Sequence, residues 1–108
     1  MGYYSQVALC VSEKVEIPEY LQTTMESIWF NLVSTSQGSR LYGCDCLKWY
    51  DSYQEIEYLE RFMNSLNYED YLFIRIGEKF DDTEYRGGFF DNPFEFRVER
   101  RFCYNVNP

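Results

Sequence analysis

Tyr3-Tyr4-Ser5-Gln6-Val7-Ala8-Leu9-Cys10-Val11 alternates along its length, with Val7, Leu9 and Val11 on one side and Tyr4, Gln6, Ala8 and Cys10 on the other. A strand points successive side chains to opposite faces, so this pattern predicts a first strand over 3–11 whose Val7, Leu9 and Val11 enter a core. Downstream the period changes. Pro18 stands where a first helical turn accepts it, and Leu21, Met25, Ile28 and Leu32 follow at spacings of four, three and four. That stripe predicts an amphipathic helix over 18–33, ended by the small polar run Ser34-Thr35-Ser36-Gln37-Gly38-Ser39.

Residues 40–50 read as a second strand, with Gly43 marking a bulge. Ser52 and Glu55 have the spacing of a capping box, and Ile56, Leu59, Met63 and Leu66 make a second helical stripe over 53–66. Leu72, Ile74 and Ile76 alternate with Tyr71, Phe73 and Arg75 in a third strand that Gly77 closes. A short strand is expected over 83–90 and a turn at Asp91-Asn92-Pro93. A long last strand is expected over 94–106, where Arg100 alone breaks an apolar row. The order β-α-β-α-β-β-β predicts one α+β domain over residues 1–108. Two helices pack on one face of a mostly antiparallel sheet, and the last three strands form a meander.

The 108 residues suit one core, and 45% of them are apolar. Aromatic residues reach 20%, led by 11 tyrosines. Eighteen acids against ten bases give a formal charge of -8, which provides no cationic surface for phosphates and excludes direct nucleic-acid binding. Histidine is absent, and with it Ser-His and Cys-His catalysis and histidine metal sites. No glycine loop of Walker type is present, and Gly87-Gly88 reads as a turn or bulge. These absences lead to the expectation of no enzymatic activity and no cofactor. No segment has the length of a membrane span, and Met1-Gly2-Tyr3-Tyr4-Ser5 lacks the regions of a signal peptide. The expected location is the cytoplasm, with reduced thiols.

Cys44 and Cys46 stand two apart and so share one strand face, while Cys10 and Cys103 lie opposite the apolar rows of their strands. Four thiolates suffice for zinc, but the paired C-x2-C knuckles of such sites are missing, so buried structural thiols are expected and no metal. Glu78, Asp81, Asp82 and Glu84 are close enough to suggest a cation site, yet they lack the order of a calcium-binding loop, and Lys79 interrupts them. A solvated loop is the plainer reading. Arg97, Arg100 and Arg101 are suited to holding a phosphate, or to cross-strand pairing with Glu95 and Glu99, which is preferred.

Charge distribution is more informative. Residues 51–85 carry ten acids and three bases. Tyrosines are interleaved with these acids, and tyrosine is a favoured interface anchor because its ring is apolar and its hydroxyl hydrogen-bonds. The expectation is an acidic, aromatic binding face made by Tyr53, Glu57, Tyr58, Glu60, Glu78, Asp81, Asp82 and Glu84. Its partner is a protein with a basic surface, reached by long-range attraction; the alternative is a charged face that only keeps the domain soluble. A homodimer is a further possibility, raised by Arg100 on its apolar row.

Four stretches taken in order carry a resemblance: Met1 to Leu9, Leu47-Lys48-Trp49-Tyr50, Tyr71 to Glu78, and Asp81-Asp82-Thr83-Glu84 with Gly87. They resemble small phage and prophage accessory proteins of unassigned function, similar in size and charge to anti-CRISPR and other anti-defence proteins. The resemblance implies a non-enzymatic inhibitor in the host cytoplasm that binds a host defence protein, such as a CRISPR-associated one, and occupies a groove built for nucleic acid. It transfers no catalytic residue. Two alternatives stand beside it: an immunity protein that neutralises a toxin, and a small-molecule binder that takes a nucleotide signal.

Overall fold

A computed structural model describes residues 2–79 and 81–96. The elements are β1 (Ser5–Val11), α1 (Glu19–Ser27), β2 (Asn31–Ser36), β3 (Ser39–Leu47), α2 (Gln54–Asn64), β4 (Tyr71–Gly77) and β5 (Thr83–Gly87), with a single 3-10 turn at Tyr68–Asp70. The strands form one antiparallel sheet in the order β2-β3-β1-β4-β5, so the alternating stretch that opens the chain is its centre. The fold is α+β.

Leu9 pairs with Tyr42 on one side and Phe73 on the other, and all three side chains are buried. With Val7, Val11 and Tyr71 they form the sheet face that receives Leu21 and Met25 of α1 and Ile56, Leu59 and Met63 of α2. Both helices thus pack on one face, as the two apolar stripes predict. On the other face Cys10, Leu72 and Ile74 are also buried. The alternation in β4 therefore separates two covered faces rather than core from solvent.

The first predicted helix is too long. Its chain turns at Trp29, whose φ is +64°. The Phe30 N–H donates to the Met25 carbonyl at 2.9 Å and the Trp29 N–H to that of Glu26 at 3.2 Å. This is a Schellman ending with tryptophan where glycine is usual, and it drives Phe30 into the core beside Met25. Residues 31–36 are weak helix formers and become β2. Leu32 kept helical spacing with Ile28 by coincidence and is half-exposed on the strand. Gln37 and Gly38, both with positive φ, form a type I′ turn that returns the chain into β3. The observed order is β-α-β-β-α-β-β.

Other differences are local. Gly43 stays in regular register, and the bulges fall at Val33 in β2 and at Asp45 and Cys46, which together oppose Gln6. That bulge also separates the cysteine pair: Cys44 packs against the core and Cys46 is exposed. Ser52 makes no capping hydrogen bond, because the helix starts one residue later, with Tyr53 as its N-cap. Phe94, Glu95 and Phe96 are not in a strand. Asn92 gathers this segment instead, accepting the N–H groups of Phe94 and Phe96 on its Oδ1, and Glu95 takes a φ of +52°. The rest of the expected last strand, the Arg97, Arg100 and Arg101 cluster and Cys103 lie outside the described residues.

Candidate binding surface

Arg75 is the one charged residue of β4, and its side chain is only 17% exposed. Register sets Glu84 of β5 directly across from it, and Nε donates to Glu84 Oε1 at 3.0 Å. Nη2 and Nη1 donate to the two oxygens of Asp82 at 2.8 and 3.2 Å, a bidentate pair, and Nη1 also reaches Ser5 Oγ at 3.1 Å. The Tyr3 hydroxyl donates to Asp82 Oδ2 at 2.6 Å and accepts the Lys79 N–H at 2.9 Å. The turn between β4 and β5 is thereby tied to the start of the chain. Glu78 adds a tie by accepting the Tyr4 N–H at 3.0 Å.

Electrostatics follow this geometry. Hydrogen bonds from Arg75, then from Tyr3, lower the Asp82 carboxyl to a pKa of about 2. The same carboxylate raises the Tyr3 phenol above its ordinary value, and Asp82 and Glu84 together keep the Arg75 guanidinium charged. The acidic run expected as a solvated loop is thus in part tied down, with Asp82 and Glu84 bound by an arginine from within the sheet. Among the described residues no group of three cysteine, aspartate or glutamate side chains converges to hold a metal ion.

Tyrosines extend the arrangement to α2. The Tyr3 N–H donates to the Tyr50 hydroxyl at 2.7 Å, and the Tyr50 ring meets the Tyr53 ring edge-on with centroids 5.2 Å apart. Lys48 Nζ lies over the Tyr4 ring. Tyr53, Glu78, Asp81, Asp82 and Glu84 therefore belong to one end of the molecule, joined through Tyr3 and Tyr50. Tyr4, Tyr53, Glu78 and Asp81 are exposed there.

The remaining expected residues divide. Glu57 follows Tyr53 by one helical turn and pairs with Arg61 in solvent. Tyr58 turns toward α1, with its ring edge-on to Tyr20 and its hydroxyl accepting from Gln54 Nε2 at 2.6 Å. Glu60 is structural: one oxygen accepts the Trp49 indole N–H at 3.1 Å and the other pairs with Arg86, whose side chain is 17% exposed.

Sequence reasoning missed Arg75 and Tyr3, and placed Tyr50 only among the tyrosines interleaved with the acids. A lone arginine in an otherwise apolar strand was the available sign, since a half-buried cation needs a carboxylate, and a hairpin supplies one across the ladder. Among the described residues no helix is long and apolar enough to cross a membrane. No protein-family model matches the chain, and no curated protein or solved structure is significantly similar to it.

Proposed function

We propose that the protein is a non-enzymatic inhibitor that binds a basic, nucleic-acid-handling host protein through its acidic, tyrosine-bearing end. The supporting observation is the Arg75-Asp82-Tyr3 anchor. It fixes the β4–β5 turn, so that Glu78 and Asp81 are offered beside Tyr4 and Tyr53 with little ordering left to do on binding. In this reading Tyr4, Tyr53, Glu57, Glu78 and Asp81 form the contact. Asp82, Glu84 and Glu60 hold its shape, which revises the role first expected of those three.

The test is a pull-down from bacterial lysate across a salt series, using the natural chain and a Glu57→Gln/Glu78→Gln/Asp81→Asn variant. These three side chains are exposed, so the variant keeps the fold. The expected result is one enriched basic protein that salt releases and the variant fails to retain. Capture unchanged in the variant, or no enriched protein, overturns the reading.

A further inference from the structure

The acidic end accounts for one surface of the molecule and leaves another without a role. From Ser27 to Ser39, thirteen consecutive residues carry no charge, although 26% of the chain is charged. The stretch contains Trp29, Leu32 and Val33, which are 76%, 52% and 64% exposed. It also contains β2, an edge of the sheet whose outer side pairs with no further strand among the described residues. Trp29 and Val33 line an open hollow with Leu41 and Phe96 on the sheet face away from the helices.

Two features argue that this edge is more than an exposed surface. Trp29 occupies a left-handed conformation that costs a non-glycine residue about 1–2 kcal/mol. The turn serves the fold by carrying Phe30 into the core, but glycine would make it without strain, and the tryptophan there is 76% exposed. The two edges of the sheet also differ. β5 carries Glu84 and Arg86, the charged side chains that normally block edge pairing, and β2 carries none.

We infer that β2 is a homodimer interface, pairing antiparallel with β2 of a second copy to give a continuous ten-stranded sheet. The occupant follows from charge. Two copies at -8 each repel over most of their surface, and the Ser27–Ser39 stretch is where identical acidic molecules approach at least cost. A basic partner gains little there, since β2 itself offers no carboxylate and Asp45 is the one acid that lines the hollow. Antiparallel strands related by a two-fold axis are self-complementary, so one edge suffices. Leu32 lies across from Tyr42 on one face and Val33 over Gly43 on the other, both exposed, so a two-fold at this edge sets apolar side chains of the two copies against each other on both faces of the joined sheet.

The test is sedimentation of the full chain from about 1 µM to about 1 mM, a range that spans ordinary dimer affinities. The expected mass rises from 13.1 kDa toward twice that value, and a Leu32→Glu/Val33→Glu variant stays at 13.1 kDa with unchanged circular dichroism. Added salt strengthens the dimer by screening repulsion, the reverse of its effect on a basic partner. In the dimer, hydrogen exchange slows at β2 amides. A single 13.1 kDa species throughout, a dimer that survives the double variant, or protection gained elsewhere with β2 unprotected overturns the inference.

Discussion

Glu57 and Glu60 lie three residues apart on α2, and reversing their charge has opposite expected outcomes. The Glu57–Arg61 pair has side chains 56% and 72% exposed. An exposed pair at this helical spacing contributes about 0.3–0.5 kcal/mol, so Glu57→Lys leaves stability nearly unchanged. Glu60 is 28% exposed and accepts from both the Trp49 indole and Arg86. Glu60→Gln keeps an acceptor and loses the charge, at a cost of about 1–2 kcal/mol. Glu60→Lys sets a second cation against half-buried Arg86 and leaves the indole N–H without an acceptor, for about 3–5 kcal/mol. A domain of this size has about 5–15 kcal/mol in total, so that loss is a large share. Urea unfolding followed by far-ultraviolet circular dichroism reads the difference. With a slope of about 1–3 kcal/mol per molar, the Glu60→Lys midpoint falls by more than about 1 M, while that of Glu57→Lys stays within about 0.5 M. Equal shifts for the two lysine variants refute the assignment of Glu60 to the frame.

The Arg75–Asp82 pair predicts a specific acid sensitivity. Asp82 titrates at about 2 in the fold and near its ordinary 3.8 when unfolded, so its contribution is complete above about 4 and disappears as pH falls toward 2. Urea midpoints measured against pH should converge for the natural chain and Asp82→Asn across that window, and parallel curves reject the pairing. Trp29→Gly, measured in dilute solution, should change stability by less than about 1 kcal/mol. Relief of about 1–2 kcal/mol of left-handed strain offsets about 1.5 kcal/mol of lost burial from the covered quarter of the ring, and a loss of several kcal/mol shows the ring to be core. Gly87→Ala should cost more than about 1 kcal/mol, because φ is +85° and an added Cβ meets the Tyr71 carbonyl oxygen; a neutral result in thermal melts contradicts that approach. Burial pushes the Cys10 thiol up to about 12, so iodoacetamide should label exposed Cys46 promptly and Cys10 only on unfolding, as peptide mass mapping can show.

Periodicity served well wherever one face of an element alone determined the pattern. Val7, Leu9 and Val11 of β1 and Ile56, Leu59 and Met63 of α2 are core residues for the reason their spacing gives. It misled at residues 28–36, where helical spacing continued by chance past a chain reversal. The competing sign was Gln37-Gly38, a two-residue hairpin turn that Ser34, Thr35 and Ser36 disguised as a loop. Tryptophan at a left-handed helix ending has no sequence signature, because the position normally announces itself with glycine. The capping box failed for a related reason. Ser52 and Glu55 have the spacing, but the Tyr53 N–H bonds to the Tyr50 carbonyl, which moves the helix start. A local rule held only where no tertiary contact offered the backbone a better partner.

The candidate binding surface was legible in charge and illegible in pairing. Sequence counts every carboxylate alike, whereas the fold divides them by the cations it sets nearby. Asp82 and Glu84 are committed to Arg75, and Glu60 to Arg86, with each arginine largely removed from solvent. A partner's lysine cannot recruit such a carboxylate without leaving an arginine uncompensated, so these acids contribute little contact energy of their own. They still contribute to the field, because long-range attraction depends on summed charge and not on local pairing. Under the proposed function, the net charge of -8 governs how fast a basic partner arrives, and the exposed carboxylates Glu57, Glu78 and Asp81 govern how long it stays. Neutralising distant Glu69, which is exposed, should slow association alone. Neutralising Asp81 should speed dissociation as well. That separation of rates distinguishes a docking end from an evenly charged, merely soluble surface, on which the two substitutions act alike.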